Sequence, residues 1–314
     1  MLSLLGGIFL GWSLGANDAA NAFGSAVASK MLRFWTAAVL ASIFVLLGAI
    51  LEGQAGIDTL QGLTQLTLKK ATVASVAAAL TVTLMTLLGL PVSTSQAAVG
   101  AILGIGFVNR QLDLTGLSKV VVCWLGTPVG GLIIAVVVYK LLSIAINRIS
   151  IDLFQTDILI RSFLIIAGSY AAYALGANNV ANVTAVFVGA GQISVFSATF
   201  IGGLSIGFGI LTFSRPVMET IGRKLVRLDP FSALVVVLAE AITVHFFTFV
   251  GVPVSTSQAV IGAVLGVGIV KGANTVSRRT LASILFGWLL TPAIACFIAV
   301  LLYFAVNLRF IPEF

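Results

Sequence analysis

The chain has 314 residues, of which 59% are hydrophobic and 9% are charged, and its mean hydropathy is +1.15. Soluble domains carry about 25% charged residues, so this composition excludes a water-soluble protein and predicts an integral membrane protein. The net charge of +7 would suggest nucleic-acid binding in a soluble protein. Here the basic residues are interpreted as determinants of membrane topology, and no nucleic-acid partner is expected.

Long uncharged runs predict several membrane-spanning helices. Residues 71–109 and 162–214 contain no Asp, Glu, Lys or Arg, and a bilayer core needs roughly 20 apolar residues per helix. The runs do not alternate apolar with polar residues, so helices are expected rather than a β-barrel. No basic region precedes the first apolar stretch, so no cleavable signal peptide is expected. Cys123 and Cys296 lie in apolar runs and are interpreted as packing residues.

The first apolar segment contains the motif GANDAANA, which places Asn17, Asp18 and Asn21 at membrane depth. A charged side chain there costs on the order of 3 kcal/mol and usually faces a partner or a water-filled path. The glycine and asparagines beside Asp18 predict a break in the helix, and such breaks are tolerated where they line a cavity. The first segment is therefore predicted to be a broken helix at a binding site.

Three motifs recur in the same order, at offsets of 161, 162 and 164 residues. The pairs are GANDAANA (15–22) with GANNVANV (176–183), PVSTSQAAVGAILGIG (91–106) with PVSTSQAVIGAVLGVG (253–268), and WLGTP (124–128) with WLLTP (288–292). The second pair is identical at 12 of 16 positions. One order and nearly one offset indicate a duplicated chain.

Each half is predicted to contain five apolar segments, of which the first carries the GAN motif. The others are residues 34–51, 71–90, 94–109 and 120–142 in the first half, and 194–214, 230–251, 256–270 and 280–306 in the second. The repeats are predicted to cover 1–143 and 161–314, joined by a polar linker at 144–160. The predicted fold class is an all-α polytopic membrane protein. Its two inverted-topology repeats are expected to meet, through broken helices or re-entrant hairpins, at a mid-membrane site.

The charge distribution favours an odd number of crossings in each half, which inverts the second half. With five crossings, 12 of the 17 Lys and Arg residues lie on one side of the membrane and 5 on the other. If the fourth segment only re-enters, the split becomes 10 against 7. Positive residues favour the cytoplasm, so the linker is expected to be cytoplasmic and both termini outside. Residues 217–228 would then form a cytoplasmic interfacial segment.

The motif PVSTSQ supplies hydroxyl groups at a predicted helix start. Pro91 is expected in the first turn of a helix, and its counterpart is Pro253. Three hydroxyl residues follow the first proline closely, and the second half repeats them: Ser93, Thr94 and Ser95, then Ser255, Thr256 and Ser257. A helix N-terminus carries roughly +0.5 charge and binds oxyanions. The two helix starts therefore predict a site for a tetrahedral oxyanion, beside Asn and Asp oxygens that suit hard cations such as Na⁺.

Several residues keep two interpretations. Ser and Thr in membrane helices often bond back to a carbonyl or join helices, although their exact repetition beside the Asn motifs favours function. Gln96 and Gln258 either bind the ligand or bond locally. Glu240 and His245 have no counterparts in the first half and form either a proton relay or a local polar pair. Packing is predicted for four glycines and kinks for two prolines: Gly100, Gly104, Gly262 and Gly266, and Pro128 and Pro292.

The two GAN motifs, each followed by PVSTSQ, resemble the signature repeats of the inorganic phosphate transporter (PiT) family over nearly the whole chain. The resemblance implies a secondary carrier that moves phosphate with Na⁺ or H⁺, with inverted repeats and outward-facing termini; some relatives carry sulfate. It implies that the Asn and Asp residues of both GAN motifs and the Ser and Thr residues of both PVSTS motifs form the shared site.

This chain departs from the family pattern at three places. Many members have Asp where this chain has Asn179, and many have Thr-His where it has Ser95–Gln96 and Ser257–Gln258. Many also carry a long hydrophilic loop between the halves, of which this chain has little. The first two departures bear on the choice and number of ions, and the third suggests a minimal transport core.

These observations predict a Na⁺-coupled phosphate symporter that needs no cofactor. No Lys or Arg lies within the motifs, so bound phosphate would rely on helix dipoles and coupling cations, which favours Na⁺ over H⁺. The expected phosphate-binding residues are Ser93, Thr94, Ser95, Gln96, Ser255, Thr256, Ser257 and Gln258. The expected Na⁺-binding or helix-breaking residues are Asn17, Asp18, Asn21, Asn178, Asn179 and Asn182.

Other functions are weighed against this one: an H⁺-coupled phosphate or sulfate permease, an intramembrane lipid-phosphate phosphatase and an anion channel. A phosphatase needs a nucleophile, a base and usually an Arg clamp, and no Arg lies near a motif. The Asn and Asp cluster would be superfluous in a pure anion pore. Short loops suggest the plasma (inner) membrane of a prokaryote, with the lipid bilayer as the surrounding partner and a homodimer as the expected assembly.

Overall fold

The computed structural model describes residues 2–87, 92–148, 152–224, 228–272 and 278–308, and in this part of the chain the regular elements are helical. After a short turn at Leu2–Leu4, they are α1 (Leu5–Ala28), α2 (Phe34–Glu52), α3 (Gln54–Gln61), α4 (Leu68–Leu87), α5 (Thr94–Asn109), α6 (Leu114–Asn147), α7 (Leu153–Gly189), α8 (Val195–Lys224), α9 (Pro230–Val250), α10 (Thr256–Lys271) and α11 (Arg278–Leu308). Seven of these helices are long and apolar enough to cross a membrane. The prediction of an all-α, multi-pass membrane protein is confirmed.

The helix bounds follow the predicted segments, with three differences. The predicted linker, 144–160, is largely helical, because α6 runs to Asn147 and α7 begins at Leu153. Residues 217–224 of the predicted interfacial segment are helical, because α8 continues through Pro216 to Lys224. Their interfacial location stays a prediction, and residues 225–227 lie outside the described chain. The short helix α3 has no counterpart among the predicted segments.

The two GAN motifs do not interrupt their helices, so the predicted helix break is wrong. Both α1 and α7 continue through them, and the glycines allow close packing instead. A Cβ added at Gly15 would lie 1.9 Å from the carbonyl oxygen of Ile206, and one at Gly176 would lie 2.0 Å from that of Val45. Each glycine therefore admits the backbone of a neighbouring helix, α8 against α1 and α2 against α7.

Helices α1, α2, α7 and α8 pack against one another. The matching helices α1 and α7 run antiparallel, because a Cβ at Gly7 would meet the ring of Phe187, and one at Gly168 would meet the ring of Phe23. Antiparallel matching helices are what inverted repeats require. The repeat boundaries and the orientation of the halves in a membrane stay predictions.

Helices α4 and α5 form hairpin 1, and α9 and α10 form hairpin 2. The open ends of each hairpin lie together: the Asp113 N–H donates to the Leu63 carbonyl at 3.0 Å, and Lys271 Nζ donates to Asp229 at 2.5 Å. α5 and α10 have 16 residues each, and at 1.5 Å per residue each is about 24 Å long, less than the roughly 30 Å of a bilayer core. The tips contact α1 and α7 away from the ends of those helices, so we predict re-entrant hairpins, although α4 and α9 are each long and apolar enough to cross a membrane.

Re-entrant hairpins would change the predicted number of crossings, but they would leave the second half inverted and the basic residues divided as before. With re-entrant hairpins, each half would have three crossings and one hairpin in place of five crossings, and three is still an odd number. Neither tip sequence, 88–93 or 251–255, contains Lys or Arg. The split of basic residues therefore stays 12 against 5.

Each hairpin packs against the last long helix of the other half, α5 against α11 and α10 against α6. A Cβ at Gly100 would lie 2.4 Å from the carbonyl oxygen of Pro292, and one at Gly262 would lie 2.0 Å from that of Pro128. The predicted packing role of these glycines is confirmed. Both prolines lie inside continuous helices, and the predicted kinks stay predictions.

A charged pair holds the open end of hairpin 2. Asp229 accepts hydrogen bonds from Lys271 Nζ and from the N–H and hydroxyl groups of Ser232. Burial opposes the ionisation of Asp229, but these hydrogen bonds outweigh it and lower its pKa from 3.8 to about 2. Because folding lowers this pKa, the ionised carboxylate stabilises the folded protein above about pH 4, and that contribution is lost as the pH falls toward 2.

We expect Lys271→Met to lower the thermal unfolding midpoint slightly at neutral pH, since the pair is half-exposed. The difference from the wild type should shrink between about pH 4 and pH 2, where Asp229 becomes protonated in both proteins. Thermal unfolding in detergent over this pH range measures it. A difference that does not change with pH would contradict the assigned role of the pair.

Candidate functional site

Both hairpin tips lead into a helix that begins with a serine cap. Ser93 Oγ accepts a hydrogen bond from the Gln96 N–H, and Ser255 Oγ accepts one from the Gln258 N–H, both at 3.3 Å. The first N–H groups of a helix have no acceptor inside it. Each tip therefore presents free N–H groups at the positive end of a helix dipole.

The serine caps replace the prolines that were expected to start these helices. Pro253 lies in the extended segment before Ser255, and α10 begins at Thr256, where the predicted segment 256–270 begins. Pro91 lies outside the described residues.

Hairpin 1 joins both GAN motifs through its helix start. Thr94 Oγ1 donates to Asp18 Oδ1 at 3.3 Å. Ser95 Oγ lies 2.8 Å from Asn179 Oδ1 and accepts a hydrogen bond from Asn182 Nδ2 at 3.0 Å. Asn182 Nδ2 also donates to Asn179 Oδ1 at 2.8 Å. One helix start thus contacts α1 and α7 together.

Hairpin 2 contacts α1 from the second half and meets the tip of hairpin 1. Asn21 Nδ2 donates to Thr256 Oγ1 at 2.9 Å and to Ser257 Oγ at 3.3 Å. Ser95 Oγ lies 2.8 Å from the carbonyl oxygen of Val254. Its single hydroxyl proton serves one acceptor at a time, so Val254 and Asn179 compete for it. The site is therefore built jointly by the two halves.

The first asparagine of each GAN motif holds a hairpin in place. Asn17 Nδ2 donates to Thr86 Oγ1 at 2.9 Å, and Asn178 Nδ2 donates to Thr248 Oγ1 at 3.2 Å. The Val254 N–H donates to Asn178 Oδ1 at 2.7 Å. The sequence reasoning missed the two threonines, although the offset of 162 that aligns the PVSTSQ motifs also aligns Thr86 with Thr248.

The site is closed to solvent. Of the fourteen predicted site residues, thirteen are buried and Ser257 is half-buried, so a ligand reaches the site only after a conformational change. Within the described chain, four buried amide atoms of the set have no hydrogen-bond partner: Gln96 Oε1, Asn179 Nδ2, Asn182 Oδ1 and Gln258 Oε1. An unmet buried polar group costs about 1–3 kcal/mol, so these atoms mark positions that a bound ligand would satisfy.

The site offers two kinds of chemistry. Hydroxyl and N–H donors at two helix starts suit an oxyanion. Asp18 is the one acid in the predicted set, and its carboxylate lies among amide and hydroxyl oxygens, which are the ligands of hard cations. An anion and a cation held side by side would each lower the cost of burying the other.

Glu240 and His245 do not form the predicted pair. His245 Nε2 lies 2.6 Å from Glu52 Oε2, and the Tyr170 hydroxyl lies 2.8 Å from His245 Nδ1. Glu240 is buried, and its Oε2 has no partner within the described residues. Glu52 lies outside the recurring motifs, so no repeat pointed to it.

The chain matches the model of the phosphate transporter family over residues 14–299. It belongs to the phosphate transporter family. The family consists of permeases, so the expectation that the chain is not an enzyme is confirmed.

The alignments of this phosphate transporter family member with its relatives cover nearly its whole length. It is 31% identical over 297 residues to the "Putative phosphate permease" of Methanocaldococcus jannaschii, covering 95% of this chain and 94% of that protein. It is 28% identical over 308 residues to "Sulfate permease CysP" of Bacillus subtilis, covering 96% and 86%. A solved structure, "The sodium-dependent phosphate transporter", matches with a TM-score of 0.87 at 25% identity and covers 98% of both chains.

Proposed function

We propose that this member of the phosphate transporter family is a Na⁺-coupled symporter that imports inorganic phosphate. The observation that carries the proposal is the meeting of two serine-capped helix starts with the Asp18 network of α1 and α7. The structural similarity to a sodium-dependent phosphate transporter supports the choice of ion.

Phosphate would bind between the two hairpin tips. Its oxygens accept hydrogen bonds from the hydroxyls of the STS triplets (residues 93–95 and 255–257) and from the first N–H groups of α5 and α10. Gln96 and Gln258 are buried at the same helix starts, where their side-chain NH₂ groups add donors. The Ser95 hydroxyl has two acceptors within reach and one proton to donate, so it can turn to phosphate at little cost.

Na⁺ would bind beside phosphate, on the oxygen atoms of the GAN motifs. Asp18 supplies the negative charge, and Asn21, Asn179 and Asn182 supply amide oxygens. The Asn182 Oδ1 atom, which lacks a partner within the described chain, is available as a ligand. Asn17 and Asn178 order the hairpins through their threonine contacts. The cation charge then stabilises the phosphate, which has no Lys or Arg within the motifs to hold it.

The topology supports import across a plasma membrane. With three crossings and one hairpin in each half, hairpin 1 opens on the side of the termini and hairpin 2 on the side of the linker. The excess of basic residues favours a cytoplasmic linker and outward termini. Movement of one hairpin at a time would expose the closed site to one side and then to the other.

Uptake of labelled phosphate into proteoliposomes tests the proposal. We expect an inward Na⁺ gradient to drive uptake and an equal choline gradient to leave it at the level of protein-free vesicles. Uptake driven by a proton gradient alone would overturn Na⁺ coupling and leave phosphate transport standing. No phosphate uptake under either gradient, by protein that elutes as a single species, would overturn the substrate.

Sulfate is the second candidate substrate, because the chain is 28% identical to a sulfate permease. Sulfate is also a tetrahedral oxyanion, so the same helix starts can hold it. Excess unlabelled phosphate should abolish labelled phosphate uptake, while equal sulfate should leave most of it. Stronger competition by sulfate would reverse the assignment.

Replacing Ser95 by alanine is expected to raise the KM for phosphate about tenfold, because one donor to a charged ligand contributes roughly 1.5–3 kcal/mol. Ser75→Ala in α4 is the matched control, since Ser75 is also buried and its hydroxyl has no partner in the described residues. Initial uptake rates over a phosphate series measure both. Equal KM values in the two variants would remove Ser95 from the phosphate site.

A further inference from the structure

A second cluster of ionisable side chains joins α2, α7 and α9 outside the proposed substrate site. Glu52 accepts a hydrogen bond from the Tyr173 hydroxyl at 2.8 Å through Oε1, and its Oε2 lies 2.6 Å from His245 Nε2. The Tyr170 hydroxyl lies 2.8 Å from His245 Nδ1. The imidazole also stacks on Phe249, with ring centroids 4.8 Å apart. Both ring nitrogens and both carboxylate oxygens are therefore engaged.

The cluster lies on apolar helices and has no counterpart in the other half of the chain. Its three helices are all candidate membrane spans, where ionisable groups are costly and usually functional. At the offset of 162, Thr83 replaces His245 in the first half and Ser214 replaces Glu52 in the second. The duplication therefore does not account for the cluster, and neither do the recurring motifs.

The cluster connects hairpin 2 to the central helices. His245 precedes Thr248 by one turn of α9, and Thr248 accepts a hydrogen bond from Asn178 of α7. The same helix continues to the tip that carries Val254 and the start of α10. A change in the Glu52–His245 contact therefore acts on the segment that must move to open the site.

Proton binding changes the strength of this contact. With neutral imidazole, Nε2–H donates to the Glu52 carboxylate and Nδ1 accepts from Tyr170. With imidazolium, Nε2–H and the carboxylate become an ion pair, and Nδ1–H donates to the Tyr170 oxygen, whose hydroxyl can accept as well as donate. The Glu52 oxygen is ionised in both states, so what protonation adds is the Coulombic attraction between the imidazolium and the carboxylate. The contact is thus tighter when the imidazole holds the additional proton.

We propose that Glu52 and His245 form a proton-binding site that holds hairpin 2 against α2 and α7 when it is protonated. Within the described residues, the other ionisable groups that contact the pair are Tyr170 and Tyr173. His245 is largely shielded and Glu52 is one-third exposed, so protons reach the pair through the carboxylate side.

Hydrogen–deuterium exchange of the peptide covering 246–258 tests the proposal without any transported ion. The wild type is compared with Glu52→Gln at matched pH between about 5 and 8, the range in which histidine ordinarily changes charge. The intrinsic effect of pH on amide exchange is the same in both proteins and cancels in the ratio of their exchange rates. We expect the wild type to become up to about fivefold more protected, relative to Glu52→Gln, as the pH falls through this range, since the ion pair is partly exposed.

Two further variants separate proton binding from simple packing. Tyr173→Phe removes a hydrogen bond to Glu52 but leaves the ion pair, so it should keep the pH dependence of the wild type. His245→Gln removes the titrating ring and should lose it, as Glu52→Gln does. An exchange ratio that stays constant with pH for both Glu52→Gln and His245→Gln would overturn the proposal. If one of them fails to elute as a single species, the other decides.

Uptake supplies a second readout. If a tightened hairpin slows transport, the uptake rate of the wild type divided by that of Glu52→Gln should fall up to about fivefold on acidification. The effect of pH on phosphate ionisation cancels in this ratio, because both proteins face the same solution. A ratio independent of pH in active vesicles would contradict the link to transport. If the proposed Na⁺ coupling is wrong, the wild type will show no Na⁺-driven uptake. The hydrogen–deuterium exchange experiment uses no transported ion, so its result does not depend on that outcome.

Discussion

Replacing Asp18 by asparagine is expected to reduce Na⁺-driven phosphate uptake at least about 100-fold, since removing one partner of a buried charge pair costs roughly 3–5 kcal/mol. Asp18 is 4% exposed and receives its hydrogen bond from the helix start that would hold phosphate. Asparagine keeps the shape but not the charge, so Na⁺ loses its only anionic protein ligand in the predicted set. Initial uptake rates over a Na⁺ series measure the effect.

Asp58→Asn is the matched control for this substitution. Asp58 is exposed on α3 and contacts Gln61, so the same chemical change there should leave Na⁺ activation at the level of the wild type. Unchanged Na⁺ activation in Asp18→Asn would remove this residue from the cation site. Phosphate binding that persists in Asp18→Asn while its Na⁺ dependence disappears would place Asp18 on the cation alone.

Replacing Gly15 by alanine is expected to cause the largest loss of stability. The new Cβ would lie 1.9 Å from the carbonyl oxygen of Ile206, closer than atoms can approach, so α1 and α8 must separate. Overpacking of this kind costs about 1–3 kcal/mol or more. Separation of the two helices would also displace Asn17 and Asp18. We expect a lower thermal midpoint in detergent and a lower yield of protein that elutes as a single species.

Gly24→Ala is the control in the same helix. Its nearest non-local neighbours would lie 3.6 Å from the new Cβ, which is ordinary contact. Alanine favours a helix by about 1 kcal/mol over glycine, so this variant should be as stable as the wild type or slightly more stable. Equal destabilisation by both substitutions would show that α1 tolerates no added methyl group and would discount the role of the close approach.

It was predictable from the sequence that the two halves would contribute residues to one cluster, because the motifs occur in both halves. Polar residues are costly inside a membrane, so their repetition at one offset marks a shared function without any knowledge of contacts. The structure brings Asp18, Asn21, Ser95 and Asn182 into adjoining contacts with the two hairpin tips. The bounds of α5 were also predictable, because Ser93 and Arg110 enclose an uncharged run.

Whether α1 is continuous or broken at Gly15 was not predictable from the motif. Glycine serves both to break a helix and to let two helices approach closely, and residues 15–22 do not distinguish these uses. The glycine serves close packing because the carbonyl of Ile206, about 190 residues away in the sequence, occupies the space next to Gly15. The Glu52–His245 contact escaped prediction for the same reason, since it joins two helices that no repeated pattern relates.

The exchange of packing partners between the halves has a consequence for assembly. Hairpin 1 belongs to the first half but rests on α11 of the second, while hairpin 2 rests on α6 of the first. A fragment that ends after α6 would thus carry one hairpin without its support and one long helix without its hairpin. Each fragment lacks a packing partner for its hairpin, and the other fragment supplies that partner. Two separate polypeptides, divided between Asn147 and Leu153, should reconstitute the carrier when they are made together.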